Sequence, residues 1–303
     1  MYDIVIIGAG PAGLTAAIYA RRANKSVLIL EKESFGGQIT YSPKVENYPG
    51  FPEISGAELG EKLVDQALNL GAEIELDTVV EVRNMPSFKI VRGEHGEYQG
   101  LSVIVAAGSR HRQLGLPREN EFIGNGVSYC ALCDGAFYKD RKIAVIGGGN
   151  TALQDAVLLS DTCSHVTVIQ NLAYCTGEQR LQEILKSRPN VDFIYNTVVD
   201  ELEGDTELSS LMLHDTENNK TFRFPVDGIF VAIGQQPENA PFKSVCKLDD
   251  YGYITAGETT ITGTDGIFAA GDCRTKTVRQ VVTASGDGAS AALAACRYVD
   301  SVK

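Results

Sequence analysis

The stretch Ile4-Val5-Ile6-Ile7-Gly8-Ala9-Gly10-Pro11-Ala12-Gly13 decides the fold. An unbroken run of β-branched residues closed by glycine reads as a strand buried on both faces of a parallel sheet. A helical stretch follows to about Ala20, and a second apolar run, Val27-Leu28-Ile29-Leu30, ends at Glu31. Strand, glycine turn, helix, strand and acid together make a nucleotide-binding unit, and each part has a physical task. Gly8 makes the tight turn, Gly10 lets the backbone approach a pyrophosphate, and Gly13 lets helix and strand pack closely. Pro11 and Ala12 complete the turn. The helix N-terminus offers N–H groups and a positive dipole end to an anion, while Glu31 offers an acceptor to a ribose hydroxyl.

The pattern returns farther along. Ile143-Ala144-Val145-Ile146 leads into Gly147-Gly148-Gly149-Asn150-Thr151-Ala152, a helix to about Ser160, and a strand at Val166-Thr167-Val168-Ile169. Gln170 stands where the first copy has Glu31. Gly147, Gly149, Asn150, Thr151 and Gln170 are the candidates for a second nucleotide. Apolar runs at 101–108, 228–234 and 266–272 read as further buried strands, and 74–98 and 192–224 as β-rich excursions. Polar stretches with Gly and Pro at 110–120 and 234–244 read as paired linkers, and the Gly and Pro within 108–117 and 234–241 permit a hinge. The expected fold is α/β, with two Rossmann-like dinucleotide-binding domains of three-layer ββα/βα build. The second is inserted into the first: 1–113 and 246–303 form one domain, 114–245 the other.

Composition narrows the function. The 303 residues suffice for about two domains. A net charge of −12 argues against nucleic acid or an anionic membrane as partner. Seven cysteines, an odd count, disfavour a fully disulfide-bonded secreted scaffold. No basic leader precedes the first strand, and no apolar run approaches the ~20 residues of a membrane span. A soluble, cytoplasmic protein is expected.

Reactive chemistry centres on Cys130-Ala131-Leu132-Cys133, followed by Asp134. Two thiols at this spacing can close a small disulfide ring, and a neighbouring carboxyl can trade protons with a thiolate. Half of a zinc site is the first alternative, but no second CxxC or His pair completes it, and the four His are scattered at 95, 111, 165 and 214. No metal is expected. Two inert core thiols are the second alternative, against which the flanking nucleotide units weigh. Cys163, Cys175, Cys246, Cys273 and Cys296 are isolated and read as packing residues.

These residues resemble the low-molecular-weight thioredoxin reductases, FAD-dependent flavoproteins of the pyridine nucleotide-disulfide oxidoreductase group. The resemblance spans the whole chain and rests on Gly8–Gly13, Gly36-Gly37-Gln38, Val45–Phe51, Gly126–Gly135, Gly271-Asp272 and Arg279–Ala284. It implies one non-covalent FAD per chain on the split domain. Gly8, Gly10, Pro11, Ala12 and Gly13 would hold its pyrophosphate and Glu31 its adenosine ribose. Gly37, Gln38 and Asn47 would line the flavin, with Ala107, Gly108 and Gly271 at the strand ends and Asp272 meeting the ribityl or pyrophosphate region. Arg279, Gln280 and Val281 would touch the ring edge. Cys130 and Cys133 would pass electrons from flavin to thioredoxin or a similar protein, Cys133 nearer the flavin, with Asp134 as proton donor. A homodimer is implied as well.

The chain departs from this family at one place. The usual member clamps the 2′-phosphate of NADPH with a His-Arg-Arg cluster and a further Arg after the second strand. Here that position reads Gln170-Asn171-Leu172-Ala173-Tyr174-Cys175-Thr176, and the next cation is Arg180. Each charge-assisted contact is worth about 1.5–3 kcal/mol, so losing two or three costs orders of magnitude in affinity. The expected donor is therefore not NADPH but reduced ferredoxin or another flavin carrier, and the inserted domain is left open to a second flavin or another nucleotide. An acidic ferredoxin needs a basic patch; the candidates are Arg110, Arg112 and Arg118, or Lys139, Arg141 and Lys142, or Arg274 and Lys276. Two alternatives stand beside this reading: an ordinary NADPH-dependent enzyme using Arg180, and a non-enzymatic redox sensor.

Overall fold

The computed structural model describes residues 1–42 and 45–303. In chain order it runs β1 (Tyr2–Ile7), α1 (Pro11–Arg22), β2 (Val27–Glu31), α2 (Gly56–Asn69), β3 (Glu73–Leu76), β4 (Val79–Asn84), β5 (Lys89–Gly93) and β6 (Glu97–Val105). Next come β7 (Ser109–His111), α3 (Glu119–Phe122), β8 (Val127–Ser128), α4 (Ala131–Asp134), β9 (Lys142–Ile146), α5 (Asn150–Ser160), β10 (His165–Ile169), α6 (Gln179–Lys186) and β11 (Val191–Ile194). The chain ends with β12 (Thr197–Gly204), β13 (Leu208–Asp215), β14 (Lys220–Pro225), β15 (Gly228–Val231), β16 (Gln235–Pro237), β17 (Ile267–Ala269) and α7 (Val281–Val302). Among the described residues no helix is long and apolar enough to cross a membrane.

Two compact units result, Met1–Arg110 with Gln236–Lys303, and His111–Gln235. In the first, strands run β3-β2-β1-β6-β5-β4, with β17 also on β6. The nine-residue β6 is the branch point of this one seven-stranded sheet: its start pairs antiparallel with β5 and its end parallel with β17. The unbroken apolar runs have a simple cause. Ile4, Ile6, Val27, Ile29 and Ile104 point into one core with α1, α2 and α7, while Val5, Ile7, Leu28, Leu30 and Val103 point into another on the opposite face. With both faces dry, alternation disappears from the sequence.

The second unit repeats the plan with strand order β11-β10-β9-β15-β8. Ile143, Val145, Val166, Val168 and Phe230 face α5 and its neighbours, whereas Ala144, Ile146, Ile169 and Ile229 face Leu202, Leu208, Leu211 and Leu213 of the antiparallel β12–β14 sheet. Equivalent bonds close the two glycine turns. Gly8 N–H donates to Leu30 O at 2.8 Å and Gly147 N–H to Ile169 O at 2.9 Å. At both glycines φ is positive, +107° and +127°. An added Cβ at either would strike a carbonyl of the neighbouring strand end, Ala106 or Ala232.

The chain crosses between units at Arg110/His111 and Gln235/Gln236, whereas the sequence reading puts the crossings after 113 and 245. The second difference has a packing cause: Phe242, Val245 and Cys246 are buried in the core of the first unit, so the apparent linker is part of its floor.

Candidate functional site

In the first unit the candidate cofactor residues gather at the C-terminal ends of β1, β6 and β17, where ligands bind in open α/β sheets. Among the described residues no side chain caps α1, no acid stands in its first turn, and Pro11 occupies the start. Its positive end is thus left for an anion. Gly10 and Gly37 approach backbone to backbone, since a Cβ on Gly37 would lie 2.7 Å from Gly10 Cα. The Asn47 amide donates to Gln280 Oε1 at 3.2 Å, Gln38 donates to Ser109 O, and Gly108 follows with φ +70°. Gln280 caps α7 through a capping box with Thr283, which fixes where Val281 begins the helix.

Two atoms in this neighbourhood are buried without a hydrogen-bond partner among the described residues: Asp272 Oδ1 and Arg279 Nε. Burial pushes the Asp272 carboxyl above its ordinary value, against the pull of Lys276 and Arg279. The Arg279 guanidinium lies 4.3 Å over the Tyr253 ring. Glu31 is engaged more than the sequence implies. Its carboxylate accepts from Ala9 N at 2.7 Å, Lys32 N at 2.9 Å and Glu33 N at 3.0 Å. One acceptor position of four remains for a ribose hydroxyl.

In the second unit Cys130 and Cys133 form a disulfide with Cα atoms 5.3 Å apart. Cys130 caps the short α4, and its Sγ accepts from Cys133 N at 3.2 Å. Both cysteines are half-buried, and Leu132 between them is exposed. Asp134 Oδ2 accepts from Ser128 Oγ at 2.7 Å, while its Oδ1 is buried with no partner among the described residues. Burial raises the Asp134 carboxyl above the usual range, and the Ser128 hydrogen bond opposes this. Ser128 also accepts from the Cys130 backbone N–H at 3.1 Å, so one hydroxyl ties the acid to the backbone of the first cysteine. No residue-type pattern singles Ser128 out; only the fold places it there.

The second glycine turn is geometrically close to the first, with Gly149 at φ −83°, ψ 178° against Gly10 at φ −82°, ψ −177°. What covers it differs. Gly177 N–H donates to Gly148 O at 2.9 Å, and Thr176 Oγ1 to the same oxygen at 3.4 Å. Glu178 N–H donates to Asn150 Oδ1 at 2.7 Å, and Asn150 Nδ2 to Glu178 Oε1 at 3.4 Å. The segment after β10 therefore clasps the turn and sets a carboxylate at the mouth of α5. Gln170 does not face outward: it is buried over Gly148, with Nε2 donating to Tyr174 O at 3.2 Å. Thr151 is exposed at the start of α5 and lies outside this clasp.

The proposed cationic surfaces fare unequally. Arg274 and Lys276 are not a surface patch, because the Arg274 side chain is 2% and the Lys276 side chain 6% exposed; both are held by a buried carboxylate. Arg110 pairs with Glu33 and Glu238, and Arg118 with Glu121 and the carbonyls of Gly204 and Asp205. Arg112, Lys139 and Lys142 are exposed, as is Arg141, whose Nη1 lies 3.8 Å from Asp227 Oδ1.

Comparison with known proteins agrees with this geometry. The family model described as pyridine nucleotide-disulphide oxidoreductase matches residues 2–288. A thioredoxin reductase of Bacillus subtilis (strain 168) is 40% identical over 304 aligned residues, covering 100% of this chain and 96% of that protein. One from Listeria innocua is 41% identical, covering 100% and 95%. The crystal structure of thioredoxin reductase from Streptococcus pyogenes MGAS5005 superposes with a TM-score of 0.95 at 37% identity, covering 99% of each chain. The chain belongs to the pyridine nucleotide-disulphide oxidoreductase family and is an oxidoreductase of the thioredoxin reductase type.

Proposed function

We propose that the chain is a FAD-dependent reductase that carries electrons through Cys130 and Cys133 to thioredoxin or a similar protein disulfide, with a donor other than NADPH. The activity rests on the Cys130–Cys133 disulfide joined through Ser128 to a carboxyl that burial keeps protonatable. FAD fits the first unit: α1 is uncapped, Gly10 and Gly37 approach backbone to backbone, Gly271 packs against Ala12 of α1, and Asp272 Oδ1 and Arg279 Nε are buried without a hydrogen-bond partner among the described residues. Gly8–Gly13 and Glu31 would hold the nucleotide, Asp272 the ribityl or pyrophosphate region, and Gly37, Gln38, Asn47, Ala107, Gly108 and Arg279–Val281 the flavin end. When bound, FAD supplies the two-electron store between donor and disulfide.

The chain's own residues do the rest. The disulfide takes up two electrons and two protons to become a dithiol. A thiolate of that pair attacks the partner's disulfide, forming a mixed disulfide and releasing a partner thiolate. The second thiolate resolves it, re-forming Cys130–Cys133 and releasing the reduced partner. Asp134, positioned by Ser128, holds and returns the proton that the thiolates need at each exchange.

For the donor, the carrying observation is the clasp of Thr176–Glu178 on Gly148 and Asn150, together with the lack of Lys or Arg from Gln170 to Gln179. A nucleotide phosphate would have to displace Gly177 and meet the Glu178 carboxylate. Reduced ferredoxin, or another flavin carrier, is the donor this favours; the exposed Lys139, Arg141 and Lys142 offer an acidic protein a positive face. The intact backbone of Gly147–Asn150 favours a second reading, an NADPH enzyme using Arg180. We place the protein in the cytoplasm as a homodimer. The test is steady-state thioredoxin reduction with each donor. Turnover with reduced ferredoxin or photoreduced flavin, lost in Cys133→Ser, supports the proposal. NADPH turnover abolished by Arg180→Ala would establish the second reading instead.

A further inference from the structure

Beneath the Gly271-Asp272 turn lies a buried charge cluster for which the reaction above has no use. Asp287, on the inner face of α7, accepts four hydrogen bonds. Arg274 gives two, Nη2 to Oδ1 at 2.7 Å and Nε to Oδ2 at 2.9 Å; Lys276 Nζ and Gly271 N give the others, each to Oδ2 at 3.0 Å. Arg274 is the largest fully buried side chain described, and its Nη1 also binds the carbonyls of Ala256 and Thr275. Lys276 reaches on to Thr283 Oγ1 at 3.1 Å, the hydroxyl of the α7 capping box, and lies 3.9 Å from Asp272 Oδ1. One carboxylate thus fixes the strand-end turn, the helix N-terminus and the cation beside Asp272.

Burying two cations and a carboxylate is costly in desolvation, and neutral hydrogen-bonding groups could satisfy Gly271 N–H and the Ala256 and Thr275 carbonyls without burying charge. What neutral groups lack is charge. In a low-dielectric site a fixed charge acts strongly on any nearby group whose own charge changes, and a flavin gains negative charge on reduction. We propose that Asp287 and Lys276 are positioning residues that orient the Asp272 turn and set, by their opposite charges, the reduction potential of the flavin in the first unit. This rests on the FAD reading above.

The test is the flavin midpoint potential of the purified holoprotein and its Lys276→Met, Lys276→Arg and Asp287→Asn variants, measured by anaerobic spectroelectrochemical titration with flavin content recorded alongside. Lys276→Met leaves the Arg274–Asp287 pair intact, so it keeps the test alive should Asp287→Asn fail to fold. The expected result is a lower potential in Lys276→Met, restoration in Lys276→Arg, and a higher potential in Asp287→Asn. A merely structural role would loosen flavin without opposite shifts. Flavin-loaded variants with unchanged potentials, or with shifts of one sign, overturn the inference while leaving the FAD reading intact. Wild-type protein that binds no FAD overturns that reading and the inference with it.

Discussion

Asp134 has one carboxyl oxygen held by Ser128 and the other buried without a partner, an arrangement that stores a proton rather than a charge. The Ser128 hydroxyl donates to the ionised form, so Ser128→Ala should raise the Asp134 carboxyl further and move the alkaline limb of the thioredoxin-reduction pH profile, where the protonated Asp134 is lost, upward. Asp134→Asn should keep the disulfide and the fold yet slow thioredoxin reduction about 10²-fold, with that limb gone. Single-turnover reoxidation of the dithiol by thioredoxin across pH measures both. Asp155 makes a separate prediction about stability. Burial lifts its carboxyl from 3.8 to about 6. Between those values the folded state holds a proton that the unfolded state releases, so stability falls as pH rises through the window. Asp155→Asn should therefore be more stable than wild type at pH 7, by about 1–3 kcal/mol, and equal to it near pH 3. Denaturant midpoints at the two pH values check this.

At the scale of elements, α1 and α7 pack through small residues: Ala12, Ala16, Ala291, Ala292 and Ala295 are all buried between them and the sheet. A Cβ on Gly288 would overlap the Ala12 carbonyl. Gly288→Ala should therefore cost about 1–3 kcal/mol by overpacking and loosen the cofactor turn above α1, read as a lower melting temperature and faster flavin release. Elements of this kind were legible because glycine turns and dry β-branched strands leave few alternative readings. The Cys130–Cys133 disulfide was legible for a similar reason, through spacing and residue type. Other features were not. Asp287 and Arg274 meet across the fold from 13 residues apart, and nothing in Ser285-Gly286-Asp287-Gly288 distinguishes a buried acid from a solvated one. The clasp of Glu178 on Asn150 is equally non-local. Phe242 and Val245 hid within a Pro- and Gly-bearing stretch that resembles a linker until the core is seen to include them.

Across the whole molecule, one strand-turn-helix plan is used twice with different outcomes. The first copy keeps its turn uncapped, with Asp272 Oδ1 and Arg279 Nε buried without a hydrogen-bond partner in the same unit; the second has its turn clasped by its own chain, and no Lys or Arg stands from Gln170 to Gln179. The acidity of the molecule sharpens the difference, since a net charge of −12 opposes polyanionic nucleotides wherever local cations are missing. If an acidic carrier delivers the electrons at Lys139–Lys142, the rate of that transfer should fall steeply with ionic strength, and charge reversal at Arg141 should flatten the salt dependence. The central claim, a thioredoxin reductase-type enzyme with a donor other than NADPH, is tested most directly by anaerobic stopped-flow mixing of the oxidised holoprotein with micromolar NADPH while flavin absorbance is followed. The account predicts no rapid bleaching with NADPH and full bleaching with reduced ferredoxin or photoreduced flavin. Rapid, stoichiometric bleaching by NADPH would contradict it.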